Sequence, residues 1–258
     1  MNGNLGLKYN RLYWEKGFNI DEGEFSQYED VENCFYSSTE HYFELETVYP
    51  GLLTGIGWIH ERGEKEDTGL KLGFYFDYTT GMPAIPGSSI KGCIRSVFPQ
   101  YDQEDNEDSV KTKQLREEKE NYVISLLEKL KIENTGFSIK DLENEIFRGM
   151  NTNEEPLGIY KRDIFYDAFI LGRKGKFLGI DTLAPHATLS EDYSKSLLKN
   201  PNPVSFLKIL PGIKFRFNFD LKDGLIQADK KLELFKYILL ERGIGAKTNV
   251  GYGCLKAC

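Results

Sequence analysis

An α+β domain with an antiparallel sheet is what this 258-residue sequence predicts. Three observations predict it. Three segments carry apolar residues at helical spacing, several β-rich runs read as strands, one of them alternating apolar and polar residues, and the two kinds of segment interleave along the chain. With 40% hydrophobic and 13% aromatic residues, the composition suits a packed core. The longest stretch without a charged side chain, Thr47 to His60, is 14 residues and rich in Gly and Thr. A membrane-spanning helix needs roughly 18 or more apolar residues. The opening MNGNLGLKYN lacks the apolar stretch of a secretion signal. The expectation is a soluble, cytoplasmic protein with no membrane partner.

The elements follow in order. NLGLKYNRLYW is aromatic and apolar, an arm expected to pack on the body, and residues 15–46 are strongly acidic, a solvated face. ELETVYPGLLTGIGWIHE predicts a strand that runs into a Gly-rich loop at Gly51, Gly55 and Gly57. LKLGFYFDY is a β-rich run, and TTGMPAIPG supplies turns. In SSIKGCIRSVF, Ile90, Ile94, Val97 and Phe98 define one face of a short helix with a serine-based start.

Residues 100–148 interrupt this rhythm with an acidic helical insertion, in which Val123, Leu126, Leu127 and Leu130 form the apolar stripe of one helix and IKDLENEIF a second. It is expected to be a solvent-facing elaboration and a candidate contact for a partner. Two strands joined through a hairpin-like GRKGK come next, then a Ser, Asn and Pro-rich loop at about 187–203. VSFLKIL and IKFRFNFDL are strands across a Pro-Gly turn, the second alternating Phe215, Phe217 and Phe219, which places these rings in the core. Ala228, Leu232, Phe235 and Leu239 mark the last helix, GIGAKTNVGYG follows, and CLKA closes the chain as a strand. Without its insertions the order is β–α–β–β–α–β, that of a ferredoxin-like (RRM-like) sheet in a single domain spanning 1–258.

The formal net charge is −7, but it is unevenly placed: residues 100–145 carry −6 and residues 208–258 carry +5. A local basic groove can therefore coexist with an acidic total, and composition leaves a nucleic-acid partner open. The four cysteines include no CxxC, and His41, His60 and His186 lack ligand spacing to them. No metal and no cofactor is expected, and reduced thiols fit a reducing compartment.

Two segments carry chemistry. Gly243, Gly245, Lys247 and Thr248 lie in GIGAKTNVGYG, where glycine lets a backbone approach a ligand, and exposed N–H groups with one Lys suit a phosphate. No Gly directly precedes Lys247, so this is not a Walker A loop. It leaves a helix rather than a strand, so it is not a dinucleotide fingerprint. A phosphate cradle and a tight helix-to-strand turn both remain open on spacing alone. The second segment, PAIPGSSIKGCIR, places Ser88 and Ser89 at a helix start whose N–H groups attract anions, with Lys91 and Arg95 adding charge on one side. By itself it is an ordinary capped helix.

Together, IPGSSIKGCIR and GIGAKTNVGYG strongly resemble the paired signatures of the RAMP superfamily of CRISPR proteins. The NLGL opening, TGIG, IFRG, RDIFYDAF, IDTLAPH and NPNPVSFLKILPGIKFRF point within it, in order and overall length, toward the sixth subunit of type III-B (Cmr) effector complexes. The resemblance implies a RAMP fold in a ribonucleoprotein that holds CRISPR guide RNA and, through it, target RNA, beside other Cmr and RAMP subunits. It implies that Ser88, Ser89, Lys91 and Arg95 face guide phosphates near the 3′ part of the guide, and that Gly243, Gly245, Lys247 and Thr248 line the same track. Phosphate contacts of this kind hold a strand without reading its sequence. No catalytic residue is assigned, and the expected role is structural. The alternative is a RAMP-family endoribonuclease using His60 or Asp67, the His and Asp with the most suitable loop settings. The aromatic octamer of RRM proteins is absent, so base stacking on the sheet is not expected.

Overall fold

The computed structural model describes residues 4–12, 39–56, 70, 72–101, 110–133, 136–171, 176–183 and 203–258. Its elements are α1 (Leu5–Leu7), β1 (His41–Thr47), β2 (Ala84–Ile85), α2 (Gly87–Arg95), α3 (Val110–Lys129), α4 (Ile139–Glu143), β3 (Ile164–Phe165), β4 (Ala168–Ile170), β5 (Leu178–Leu183), β6 (Val204–Ile209), β7 (Lys214–Asp220), α5 (Ala228–Arg242) and β8 (Leu255–Ala257). The loop expected at about 187–203 lies outside the described residues except for its last position, and His60, Asp67 and His186 lie wholly outside them.

β7 organises the main sheet. Its alternation puts Phe215, Phe217 and Phe219 on one face, all fully buried, while Arg216 and Asp220 point the other way and are only partly covered. β1 pairs antiparallel along one edge with Leu45 opposite Phe215 and Phe43 opposite Phe217, and the Phe43 and Phe217 rings stack with centroids 5.4 Å apart. The other edge carries β3 and β4, two parts of one interrupted strand. β2 and β8 close the sheet to give the order β2–β4–β7–β1–β8. Counting β3 and β4 as one strand, β1, α2, β3/β4, β7, α5 and β8 follow the split βαβ arrangement of a ferredoxin-like fold. The predicted fold class is the observed one.

The outer face of the sheet is laced with charge, set against the exposed Tyr42 ring. Arg216 donates from Nε and Nη2 to Glu44 Oε1 at 3.1 and 2.6 Å across the strands, its guanidinium lies 4.5 Å from the Tyr42 ring centre, and Lys256 meets Glu46 at 2.9 Å.

Two strand pairings differ from the sequence reading. β4 and β5 do not pair: β4 lies in the main sheet, whereas β5 pairs with β6 in a separate two-stranded ribbon. The Pro211–Gly212 turn likewise carries the chain from the ribbon to the main sheet and does not close a hairpin. Buried Thr47 holds this crossover. Its hydroxyl donates to Leu210 O at 2.8 Å and accepts from Ile213 N–H at 3.0 Å, and its carbonyl accepts from Gly212 N–H at 2.7 Å. A Pro-Gly pair marks a turn, but partner choice is a long-range matter that turn residues do not encode. Among the described residues of LKLGFYFDY no strand forms, and isolated bridges join Leu70 to Ser205 and Phe76 to Pro83.

The arm at the start packs as expected: Leu5 and Tyr9 are fully buried, and Asn4 caps the first turn by accepting from Leu7 N–H at 2.7 Å. The insertion is more deeply integrated than a solvent-facing elaboration. Val123, Leu126 and Leu127 are buried with Ile139, Leu142, Ile146 and Phe147 in the same core as the sheet, and Leu130 packs against it.

The buried face of α5 is Ala228, Lys231, Leu234, Phe235, Ile238 and Leu239, with Leu232 only partly covered. Lys231 displaces the expected pattern because its charge is matched inside. Its Nζ lies 2.8 Å from Asp163 Oδ2 and 3.0 Å from Glu145 Oε1, and donates to Lys222 O at 2.9 Å. Burial pushes the Asp163 carboxyl above its ordinary value, with Lys231 pulling the other way. This cluster ties α5 to the insertion and to the lead into β3. Breaking a buried pair by removing one partner costs about 3–5 kcal/mol, so Lys231→Met is expected to lose stability in that range in urea denaturation. A loss below about 1 kcal/mol, the scale of an exposed pair, contradicts this reading.

Candidate nucleic-acid interface

α2 is the first wall of the site. An α-helix turns by about 100° per residue, which sorts α2 into three faces. Ile90, Ile94 and Val97 are buried. Ser89, Cys93 and Ser96 line a groove against the loop that follows α5. Ser88, Lys91 and Arg95 fall on the remaining flank. Neither serine caps the helix: Pro86 occupies the N-cap without a side-chain bond. The cap comes instead from Asp167, at the break between β3 and β4, whose Oδ1 accepts from Gly87 N–H at 2.7 Å. Gly87 is required there, since a Cβ would lie 2.2 Å from Phe165 O. The helix end already holds a carboxylate and is not an open anion site.

The glycine-rich loop is the second wall. Residues 51–53 lie between it and the β5–β6 ribbon. Leu52 and Ile209 exchange both backbone hydrogen bonds, at 2.9 and 2.8 Å. On the other side Leu53 O accepts from Ala246 N–H and Gly51 O from Gly253 N–H, both at 2.8 Å. The contact is so close that a Cβ at Gly245, where φ is +93°, would stand 2.1 Å from Leu53 O. Cys93 fastens this loop to α2 by donating from Sγ to Gly243 O at 3.2 Å, and burial, only partly offset by nearby Arg242, pushes its thiol up to about 11. The ribbon is tied in through Asp181, which accepts from Lys208 Nζ at 2.6 Å and Tyr252 OH at 2.7 Å. Burial resists ionisation of Asp181, yet these bonds and one from Thr182 N–H hold its pKa below the ordinary value.

Between the walls runs an open groove of about 720 Å³, bordered also by Thr54, Gly55, Arg242 and Asn249. Among the described residues, the N–H groups of Gly245, Lys247 and Thr248 donate to no partner. Arg242, exposed at the end of α5, adds a cation. Glu241 beside it is engaged elsewhere, accepting from Tyr122 OH at 2.5 Å and from Tyr237 OH, and these bonds hold its carboxyl below the usual range. Open N–H groups beside a guanidinium suit a phosphate.

The two sequence segments thus meet, though not through every residue. Ser89, Gly243, Gly245 and Thr248 line the groove, whereas Lys247, in a left-handed conformation (φ 58°), is not among its lining residues. Ser88 is exposed at the start of the helix. Lys91 Nζ lies 5.7 Å from the Phe165 ring centre, with burial and neighbouring Arg95 lowering its pKa, and Arg95 Nη2 faces Glu143 of the insertion at 3.6 Å. Arg242 and Ser96 escape the sequence reading. Ser96 follows Ser89 by seven residues and Arg242 directly precedes the first glycine, signals that spacing alone could have supplied. Among the described residues, no three His, Cys, Asp or Glu side chains are grouped to hold a metal, and no helix is long and apolar enough to cross a membrane.

Two glycines give opposite expectations. Gly245→Ala forces a Cβ onto Leu53 O at a strained φ and is expected to cost at least about 1–3 kcal/mol. Gly92, on α2 with open space around it, is expected to gain about 0.5–1 kcal/mol on conversion to Ala. Urea denaturation of both variants checks this, and equal effects contradict it.

No curated protein matches the sequence. Among solved structures, a chain of the cryo-EM structure of the type III-B Cmr-beta bound to cognate target RNA aligns with a TM-score of 0.54 at 21% identity. The match covers 97% of this chain and 65% of that one, so this chain spans less than two thirds of that neighbour's length. Cmr6 from Pyrococcus furiosus aligns with a TM-score of 0.47 at 22% identity, over 84% of this chain and 97% of that one. The profile of the RAMP superfamily matches residues 44–256, a span that takes in both walls of the groove and every strand of the sheet except the start of β1 and the last residue of β8, and the chain therefore belongs to the RAMP superfamily.

Proposed function

We propose that this protein is a non-catalytic structural subunit of a type III-B Cmr ribonucleoprotein. In it the groove between α2 and the glycine-rich loop holds backbone phosphates of the guide RNA, toward its 3′ part, while the complex recognises and cleaves target RNA in antiviral defence. The carrying observation is the convergence of open N–H groups at Gly245 and Thr248 with Arg242 in one groove, Lys247 lying between the two in the chain. Membership of the RAMP superfamily and the likeness in fold to a chain of an RNA-bound Cmr assembly support the setting.

Main-chain donors and point charges grip a backbone of any sequence, as a protein serving many guides requires, and pairing by the guide supplies specificity. Ser88, Lys91 and Arg95 stay in the proposal as a flank across α2 from the groove. The thiol lining the groove, Cys93, is held protonated and committed to Gly243 O, which suits a holding role over nucleophilic chemistry. The acidic total favours RNA binding in assembly with basic partner subunits over tight binding by the isolated chain.

On a single strand, each phosphate that a protein cation neutralises adds about 0.7 to the salt slope of binding. Arg242→Gln with Lys247→Gln is therefore expected to reduce the slope of log affinity against log salt by about 1.4, measured as guide-RNA binding by the reconstituted complex. An unchanged slope, in a complex that still assembles, contradicts the assignment.

A further inference from the structure

The segment between the insertion and β3 is a rigid knuckle whose tip faces solvent. Leu157 N–H donates to Gly149 O at 2.7 Å, Asn151 N–H to Glu155 O at 2.9 Å, and Asn151 Oδ1 accepts from the N–H groups of Asn153 and Glu155, both at 2.9 Å. Arg162 braces the far side by donating from Nε to Leu157 O at 2.9 Å. On this frame the short turn Ile159–Lys161 exposes Ile159 by 72% and Tyr160 by 90%, beside exposed Lys161. A braced turn that presents a bare aromatic ring and a cation is built for contact.

The charge around it favours an anionic occupant. Of the nearby acids, Asp163 is engaged with Lys231 and Asp167 with Gly87 N–H inside the fold; on the surface Glu154 pairs with Lys140 at 2.7 Å and Glu155 accepts from the Asn151 amide at 2.9 Å, while Lys161 and Arg162 are both exposed. Lys161 has no acidic partner among the described residues, and the turn leads into β3, where Lys91 overhangs the Phe165 ring. From this geometry we infer that the Ile159–Lys161 turn and Lys91 form a second contact for single-stranded RNA, across α2 from the groove. Tyr160 stacks on a base, and Lys161 and Lys91 face phosphates. An aromatic ring flanked by cations is the pattern that holds single strands without reading sequence. The inference rests on the proposed RNA-holding role and extends it to a face the groove does not include.

Photo-crosslinking tests it. A photoreactive phenylalanine analogue is placed at position 160, or separately at Thr248 in the groove, within the assembled complex carrying labelled guide RNA. The expected result is a covalent RNA adduct at both positions, with Tyr160→Ala weakening RNA binding by about 5- to 150-fold, the range of one stacked base. An adduct to protein alone, or none, at position 160 while Thr248 labels RNA overturns the second contact and leaves the groove standing. No RNA adduct at either position overturns both readings.

Discussion

Residues 51–53 hold the site together because their backbone is bonded on both sides. Leu52 joins the ribbon through Ile209, while Gly51 and Leu53 accept from Gly253 and Ala246 of the glycine-rich loop. Neither neighbour is a regular sheet partner, so the geometry depends on main chains approaching more closely than any side chain allows. This accounts for glycines in both loops, and it joins two readings that spacing alone leaves apart. The glycines of 243–253 serve first to seat one loop on another, and that seating leaves the N–H groups of Gly245, Lys247 and Thr248 without a partner among the described residues. The proposed phosphate cradle and the tight helix-to-strand turn are therefore one object.

The charge distribution follows from the same matching of partners. Residues 100–145 carry −6, yet several of these acids act inside the fold. Glu143 faces Arg95 and accepts from Gln100 N–H, Glu145 meets Lys231 and accepts from Leu225 N–H, and Asp141 closes a capping box with Ser138. The insertion is thus a structural layer whose carboxylates match buried cations and helix ends. An acidic total and a phosphate-friendly groove coexist because Glu241, the acid that borders the groove, is turned to two tyrosines.

Much of the fold is legible in the sequence. The alternating phenylalanines of β7 identify a half-buried strand, and the apolar spacing of α2 and the α3 stripe identify their buried faces, because burial of one face is a local signature. Lys231 is not legible, since a buried lysine looks polar until Asp163 and Glu145 arrive from distant segments. The pairings around GRKGK and Pro211–Gly212 are hidden for a related reason: turn chemistry is local, whereas the choice between main sheet and ribbon depends on Thr47 and Ile209 elsewhere. For the site, the two segments are legible as a pair. Their division is not, because Ser88 and Ser89 are adjacent in sequence but lie about 100° apart on the helix, and only Ser89 looks into the groove.

Hydrogen–deuterium exchange of the assembled complex, with and without guide RNA, tests the central claim most directly. The account predicts new protection at the N–H groups of Gly245, Lys247 and Thr248, which have no partner among the described residues. It predicts none along β1 and β7, whose outer face is laced by Glu44 and Arg216. Protection confined to that outer face, with residues 243–249 exchanging as before, would contradict it.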